Sequence, residues 1–480
     1  MSIKQKTFTG SLWNIGRTMS VNIVDFIVYA ILARVLTLED FGLLIFCLLI
    51  VELANVFINV GINQNLIQRE KWEDNFASST FVFIAGLSFS ISLFVGVVGV
   101  PSAYYFHSSE ASYILLGLCI IPLLVGLQSV FSAKLEREFK NKNITFIRAS
   151  ASFLSGIVTI ILALTGAGIW SLVIGKVLQH SITLLLLIFH AHFKPKFLLE
   201  KAHIKELFDF SLPLVWVAIL NFLNNKATNL YTGAILGTET FALISVAKKG
   251  QEVLSQTTIT PINKMVVPAI SRVKIENRLS AFYRLLKSTS IIVIPAFLGL
   301  GAVSGQFIEL AFGPKFSQSA DLLFITSTII IASILSWYLP NMLISAGATK
   351  AALKLNLVQF FNTVIVSGGT IWFGVETMLI CVVLSSYLTV PIRIHITKQY
   401  YDVSLYTMIK QILPASISSI IMMIAIRIAD DFIEVSDKVY IDLIFLVFVG
   451  LLSYALAFFL LFFRQFKDSF KELKSLIKRK

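Results

Sequence analysis

Apolar positions in this chain neither alternate with polar ones nor mark a single helical stripe; they run on without a break. Fourteen such stretches lie near 11–33, 42–66, 79–104, 112–133, 146–165, 169–191, 208–236, 241–268, 288–311, 321–346, 350–373, 376–397, 409–428 and 439–463. Each approaches or exceeds the ~20 apolar residues with which a helix crosses a bilayer core. Continuous runs, as opposed to a period of two, specify spanning helices and not barrel strands. The pattern therefore predicts an all-α integral membrane protein of about 14 transmembrane helices, with 208–268 its most polar stretch.

Composition narrows the class. Of 480 residues, 56% are hydrophobic and 14% charged, and the mean hydropathy is +0.82. A soluble domain stands nearer about 45–50% apolar and about 25% charged. A soluble enzyme, a nucleic-acid-binding domain and a disordered chain are excluded. The three cysteines, Cys47, Cys119 and Cys381, sit far apart inside apolar runs and read as small buried hydrophobes. The polar first ten residues followed by a long segment bearing Arg17 and Asp25 make a poor signal peptide, so a retained first span is expected.

The net charge of +13 gains its meaning from where the charges fall. Placing the N-terminus in the cytoplasm assigns 30 of the 40 basic residues to inner segments and the span ends beside them. The outer loops keep only Arg34, Lys315, Arg427 and Lys438. This asymmetry predicts an even number of spans and both termini cytoplasmic. Basic blocks at 134–142 and 471–480 face anionic headgroups, so the membrane lipid is the partner and no nucleic acid is implied. The longest outer loops, 101–111 and 429–438, are too short to hold a domain, which argues against a membrane glycan polymerase or ligase.

Catalytic patterns are missing. Gly175-Lys176-Val177 lacks the first glycine and the hydroxyl of a phosphate-binding loop. His190 and His192 point apart on a helix, which leaves no metal site. Asp430 and Asp431 read as a solvated loop pair. The chain is expected to be no enzyme and to need no cofactor.

A shift of 200 residues aligns spans one and two with seven and eight without gaps, with nine identities between 11–63 and 211–263. The turn Leu-x-x-Glu-x-Phe-x-Leu recurs at 36–43 and 236–243, and a mid-span Glu recurs at Glu52 and Glu252. Six spans separate the copies, which makes the repeat parallel. Two six-helix lobes, 1–200 and 201–400, are expected, with 401–480 holding two additional helices and a basic tail.

The duplicated spans also carry the polar side chains. Glu52, Asn55, Asn59 and Asn63 fall on one helical face of span two, and Lys249, Glu252, Gln256 and Asn263 on one face of span eight. Span one adds Arg17 and Asp25, span seven Asn221, Asn225 and Lys226, span six Lys176, and the end of span eight Lys264. Ionisable groups in hydrocarbon are costly and face cavities or partners. Packed toward each other, these faces enclose a hydrated cavity with fixed positive charge. The other reading makes the amides bonds between helices and the two glutamates counter-charges to Arg17 and Lys249. Coupling to protons through Glu52 or Glu252 stays open beside it.

Several segments carry a resemblance. Leu32-Ala-Arg-Val-Leu-Thr-Leu-Glu-Asp-Phe-Gly-Leu43 resembles the outer turn after the first span of bacterial polysaccharide exporters. Gly61-Ile-Asn-Gln-Asn-Leu-Ile-Gln-Arg69, Glu136–Lys140 followed by Leu164–Val173, and Val267-Pro-Ala-Ile-Ser-Arg272 are similar to later segments of the same proteins. In this order they identify the oligosaccharide flippase family of the multidrug/oligosaccharidyl-lipid/polysaccharide exporter superfamily. The resemblance implies alternating access that moves an undecaprenyl-diphosphate-linked oligosaccharide to the outer leaflet for O-antigen, exopolysaccharide or related polymers. It implies that Arg17, with Lys226, Lys249, Lys264 and Lys176, meets the diphosphate. It also implies a bacterial cytoplasmic (inner) membrane, and a polysaccharide polymerase and chain-length regulator as partners. The driving force stays open between a proton or sodium gradient, the membrane potential and removal of product by polymerisation. The alternative is a multidrug or cation exporter of the same superfamily. Such a pump calls for an acid-dominated cavity, whereas spans one, two, seven and eight hold five cations against four acids.

Overall fold

The computed structural model describes residues 21–59, 62–69, 71–106, 109–271, 273–432 and 438–463. Among them every regular element is helical. The chain runs α1 (21–35), α2 (Leu38–Asn59), α3 (Ile62–Gln68), α4 (Asp74–Phe94), α5 (Val100–Phe106), α6 (Ser109–Leu118) and α7 (Ile121–Arg137). It continues through α8 (Asn141–Leu164), α9 (Trp170–Ala191), α10 (Lys201–Tyr231), α11 (Gly237–Ser271), α12 (Ile275–Ala302) and α13 (Ser304–Phe312). It closes with α14 (Ser319–Ser327), α15 (Ile330–Trp337), α16 (Leu339–Ser345), α17 (Thr349–Thr370), α18 (Val375–Lys398), α19 (Leu405–Phe432) and α20 (Val439–Leu461).

Ten helical runs among the described residues are long and apolar enough to cross a membrane, or eleven if the bent pair Ser319–Ser327 and Ile330–Ser345 is one span. The expected first span, 11–33, runs partly outside the described residues and is not counted. Two further differences from the expected fourteen are physical. Helix α17 carries Lys350, Lys354, Asn356, Gln359 and Asn362 and is not among the ten. One run, Lys201–Thr260, is 60 residues long, about 90 Å at helical rise, and too long for one crossing. A π turn at Thr232–Leu236 and Gly237, at φ +87°, divide it into α10 and α11. A side chain rarely takes that φ, and glycine takes it freely.

Two compact units form: Met1–Lys226 with Gly237–Ala242, and Ala227–Leu236 with Leu243–Lys480. In the first, α7 is the central helix and packs on α2, α3, α4, α8 and α9. Helix α2 opens with Thr37, whose Oγ1 accepts the N–H of Asp40 at 3.1 Å, and with Glu39 and Asp40 on the positive end of its dipole. The repeated outer turns touch here. Gly42 approaches the Thr238 carbonyl so closely that a Cβ would stand 1.9 Å from the oxygen, and Phe46 meets Phe241 edge to face at 5.8 Å.

In the second unit α12 packs on α19, α19 on α20, and α17 on α18. Its core runs through Phe282, Leu286, Val293, Ile334, Tyr338, Met342 and Leu355. The expected span 321–346 is broken: α14 and the helices after it bend by 43°.

Hydroxyls in both units mostly bond their own helix. Ser88 donates to Ile84 O at 2.7 Å, Thr159 to Ser155 O at 2.8 Å, Ser386 to Val382 O at 2.7 Å and Ser419 to Ala415 O at 2.6 Å. Back-bonding of this kind lets a polar side chain sit in an apolar span without a second helix.

Candidate functional site: paired cations inside the spans

Lysines near the middle of spans do not stand alone. In the first unit, Lys176 of α9 reaches α1, where its Nζ lies 3.1 Å from Asp25 Oδ1 and 3.0 Å from Gln179 Oε1. Both partners of the ion pair are about a quarter to a third exposed. His180, one residue beyond Gln179, lies within electrostatic reach of Lys176, Arg148 and Asp25. Gln128 of α7 donates to the His180 carbonyl at 2.7 Å and fixes α7 against α9.

A second pair joins α10 to α2: Lys226 Nζ is 3.2 Å from Glu52 Oε2. Asn55 lies one turn from Glu52 on α2, and its Oδ1 is buried with no hydrogen-bond partner among the described residues. Asn63 has the same orphaned oxygen but sits on α3, past the end of α2 at Asn59, so the expected single face is divided between two helices. Asn59 closes α2, and its side chain lies outside the described residues. Asn221 and Asn225, one turn apart on α10, are exposed. Arg17 lies outside the described residues altogether.

In the second unit the pair is local. Lys249 Nζ lies 3.4 Å from Glu252 Oε2 on α11. Lys248 donates to Asn229 Oδ1 at 2.7 Å, and Gln251 donates to Thr326 Oγ1 and Ser327 Oγ, both at 2.9 Å. Gln256 is half-buried two turns on from Lys249, and Asn263 presents a third orphaned amide oxygen. Lys264 lies on α11, with its side chain outside the described residues.

Three expected cations, Lys176, Lys226 and Lys249, thus carry a carboxylate each. Glu252 pairs with Lys249 and Glu52 with Lys226; Arg17, the expected partner of Glu52, lies outside the described residues. In each pair the ammonium and the carboxylate are both partly exposed.

Sequence reasoning left out two arginines. Arg148 of α8 reaches Ser132 of α7 at 3.4 Å. Arg393 of α18 is only 8% exposed and donates to Gln359 Oε1 at 3.1 Å and to the Ser336 carbonyl at 3.4 Å. Both fall near span ends and count in the sequence only among the basic residues of the inner side. Ser150 and Ser152 beside Arg148 are a signal that could have marked it, whereas Arg393 stands between Ile392 and Ile394 and has no such signal.

A multi-pass helical bundle with paired charges inside its spans defines the class: a membrane transporter fold. A family model described as "Polysaccharide biosynthesis protein" matches residues 31–321, and the chain belongs to this family. Among relatives, the lipopolysaccharide biosynthesis protein WzxC of Escherichia coli (strain K12) is 23% identical over 379 residues, 77% of this chain and 76% of that protein. The succinoglycan biosynthesis transport protein ExoT of Rhizobium meliloti (strain 1021) is 23% identical over 326 residues, 67% of this chain and 66% of its own length. Among solved structures, the lipid II flippase MurJ in an inward closed conformation superposes with a TM-score of 0.70 at 16% identity, covering 96% of this chain and 99% of that one. The likeness in fold thus extends over nearly the whole of both chains.

Proposed function

We propose that this protein is a lipid-linked oligosaccharide flippase. It carries undecaprenyl-diphosphate-linked repeat units from the cytoplasmic to the outer leaflet by alternating access, for cell-surface polysaccharide assembly. The observation that carries this reading is the set of lysine–carboxylate pairs inside spans of a chain that belongs to a polysaccharide biosynthesis family. A sugar head needs a hydrated path and a diphosphate needs cations, and an ion pair supplies a cation without leaving it bare in hydrocarbon when no cargo is bound. The protein is a transporter without catalytic chemistry, it sits in the bacterial inner membrane with both termini cytoplasmic, and it uses no cofactor. An ion gradient, of protons or sodium, acts through the carboxylates that cargo displaces. A polymerase and a chain-length regulator take up the product. The internal duplication, with 401–480 added to it, is its evolutionary plan.

Export of cationic drugs fits less well, because the lysines of α9, α10 and α11 each occupy the carboxylate that a cationic substrate would use. The test is polymer production in a flippase-null strain. The wild-type chain should restore the polymer and should confer no resistance to cationic dyes; resistance without polymer would overturn the reading.

A further inference from the structure

Helix α10 carries more than Lys226. Its first half, with α2 and α4, encloses a cavity of about 540 Å³ within the first unit. Leu53 and Phe57 of α2, Leu87 and Phe94 of α4, and Phe208 and Leu212 of α10 form its walls. Ser90 and Ser211 are the only polar side chains among its lining residues, and Ser90 spends its hydroxyl on the Gly86 carbonyl at 2.9 Å. Ser211 keeps one buried hydroxyl without a partner among the described residues, and the rest of the wall is apolar, a lining suited to hydrocarbon far more than to a sugar or an ion.

Its two ends are charged. Leu207, the first lining residue on α10, follows Glu206, and Arg69 Nη2 lies 2.8 Å from each oxygen of that carboxylate. Lys71, Lys201 and Lys205 stand exposed around the same end, the one that the basic-residue distribution assigns to the cytoplasm. At the other end, Glu52 lies between the lining residues Ile50 and Leu53 and holds Lys226. Val215 and Lys226 are eleven residues apart, close to three full turns, so they share a face of α10. From Glu206 to Lys226 the helix rises about 30 Å, the thickness of the hydrocarbon core.

A ligand for this place must be apolar along its length and anionic at its end. We propose that the cavity holds the isoprenoid tail of the carrier lipid, with its diphosphate at the Arg69 end during loading. The inference rests on the lipid-linked cargo proposed above, and it gives the tail a seat within one unit instead of leaving it loose in the bilayer. Phe57, Phe94 and Phe208 are 42%, 64% and 52% exposed, so broad ring faces are open to a branched chain. Dispersion with such faces adds up over many atoms.

The test uses the full-length protein in phosphatidylcholine nanodiscs with a benzophenone-bearing farnesyl diphosphate as the probe. After irradiation the label should map to peptides of α2, α4 and α10. Excess undecaprenyl phosphate should displace it at least five-fold better than excess phosphatidylglycerol. Ser90→Phe fills the cavity from an exposed wall position and should cut labelling at least five-fold, and Leu212→Trp should do the same. Label elsewhere, unchanged labelling in both variants, or equal displacement by phosphatidylglycerol would overturn the proposal, the last making the cavity an acyl-chain slot. Complementation separates the two readings. Wild-type protein that restores polymer but is labelled elsewhere overturns the tail site alone, whereas wild-type protein that restores none overturns the flippase reading.

Discussion

Lys226, on α10, holds its ammonium 3.2 Å from a carboxylate oxygen of Glu52, on α2. Neither helix could carry its charge through hydrocarbon alone at low cost, and together they carry no net charge. The pair is also poised to be broken, since Glu52 is about half exposed and an anion can approach the lysine.

The two partners should therefore respond differently to neutralisation. Lys226→Gln removes a cargo contact, and polymer output at normal membrane abundance should fall about ten-fold, the effect of roughly 1.4 kcal/mol of lost binding. Glu52→Gln leaves the lysine free for the anion. It should keep cargo bound but slow its turnover, seen as retained cross-linking to a diphosphate probe with reduced export. Equal loss of cross-linking in both variants would make the pair purely structural.

Asp25 and Lys176 should also be coupled in stability, whatever their part in transport. Asp25→Asn leaves the ammonium with only the Gln179 oxygen and should destabilise the protein by about 1–3 kcal/mol, read as a lower thermal midpoint in detergent. Adding Lys176→Gln should recover most of that loss. If the double variant is no more stable than Asp25→Asn alone, the coupling assigned to the pair is absent.

Glycine positions give a paired test of the repeat. Gly42→Ala forces a Cβ into the Thr238 carbonyl, a backbone atom that cannot swing away, and the protein should fail to accumulate. Gly86→Ala meets nothing within 4 Å and should stabilise α4 by about 0.5–1 kcal/mol. Normal accumulation of Gly42→Ala would mean that the outer turns are not in close contact.

How far the sequence foretold these results varies with the kind of interaction. The helical class, the polar stripe on α2 and the repeated outer turn follow from local pattern, and the Gly42–Thr238 contact lies within that repeat. The partner of Glu52 did not follow. Any of several cations could neutralise it, and the choice of Lys226 is made by packing between distant segments. The break between α15 and α16 had a local sign in Pro340, which opens α16, but the 43° bend between Ser327 and Ile330 lies well before that proline inside a continuous apolar run. In the sequence Arg393 counts only among the basic residues near a span end, and its burial against Gln359 and Ser336 is tertiary.

Arg69 ties the end of α3 to the start of α10 through Glu206 and also reaches Glu73 at 3.3 Å. Arg69→Ala should loosen the start of α10 by about 1 kcal/mol, raising the open population about five-fold. In inverted vesicles, trypsin should then cut after Lys201 and Lys205 correspondingly faster. An unchanged rate would place the hold on α10 elsewhere.

Orientation is open to a direct check. Reporter fusions at Glu110 and Lys480 should read opposite sides of the membrane, the first outside and the second inside. Two cytoplasmic readings would break the span assignment.

The hydroxyls of Ser88, Thr159, Ser386 and Ser419 close onto their own helices. The bonds that cross from one helix to another come largely from longer side chains, such as Gln128 to the His180 carbonyl, Gln251 to Thr326 and Ser327, and Arg393 to Gln359. Where a contact is lined by short hydroxyls of the first kind, one helix can slip along another against nothing but the bumpiness of small side chains. At the amide and guanidinium crossings it cannot move without breaking a bond, so resistance to shear within each unit is concentrated at a few points.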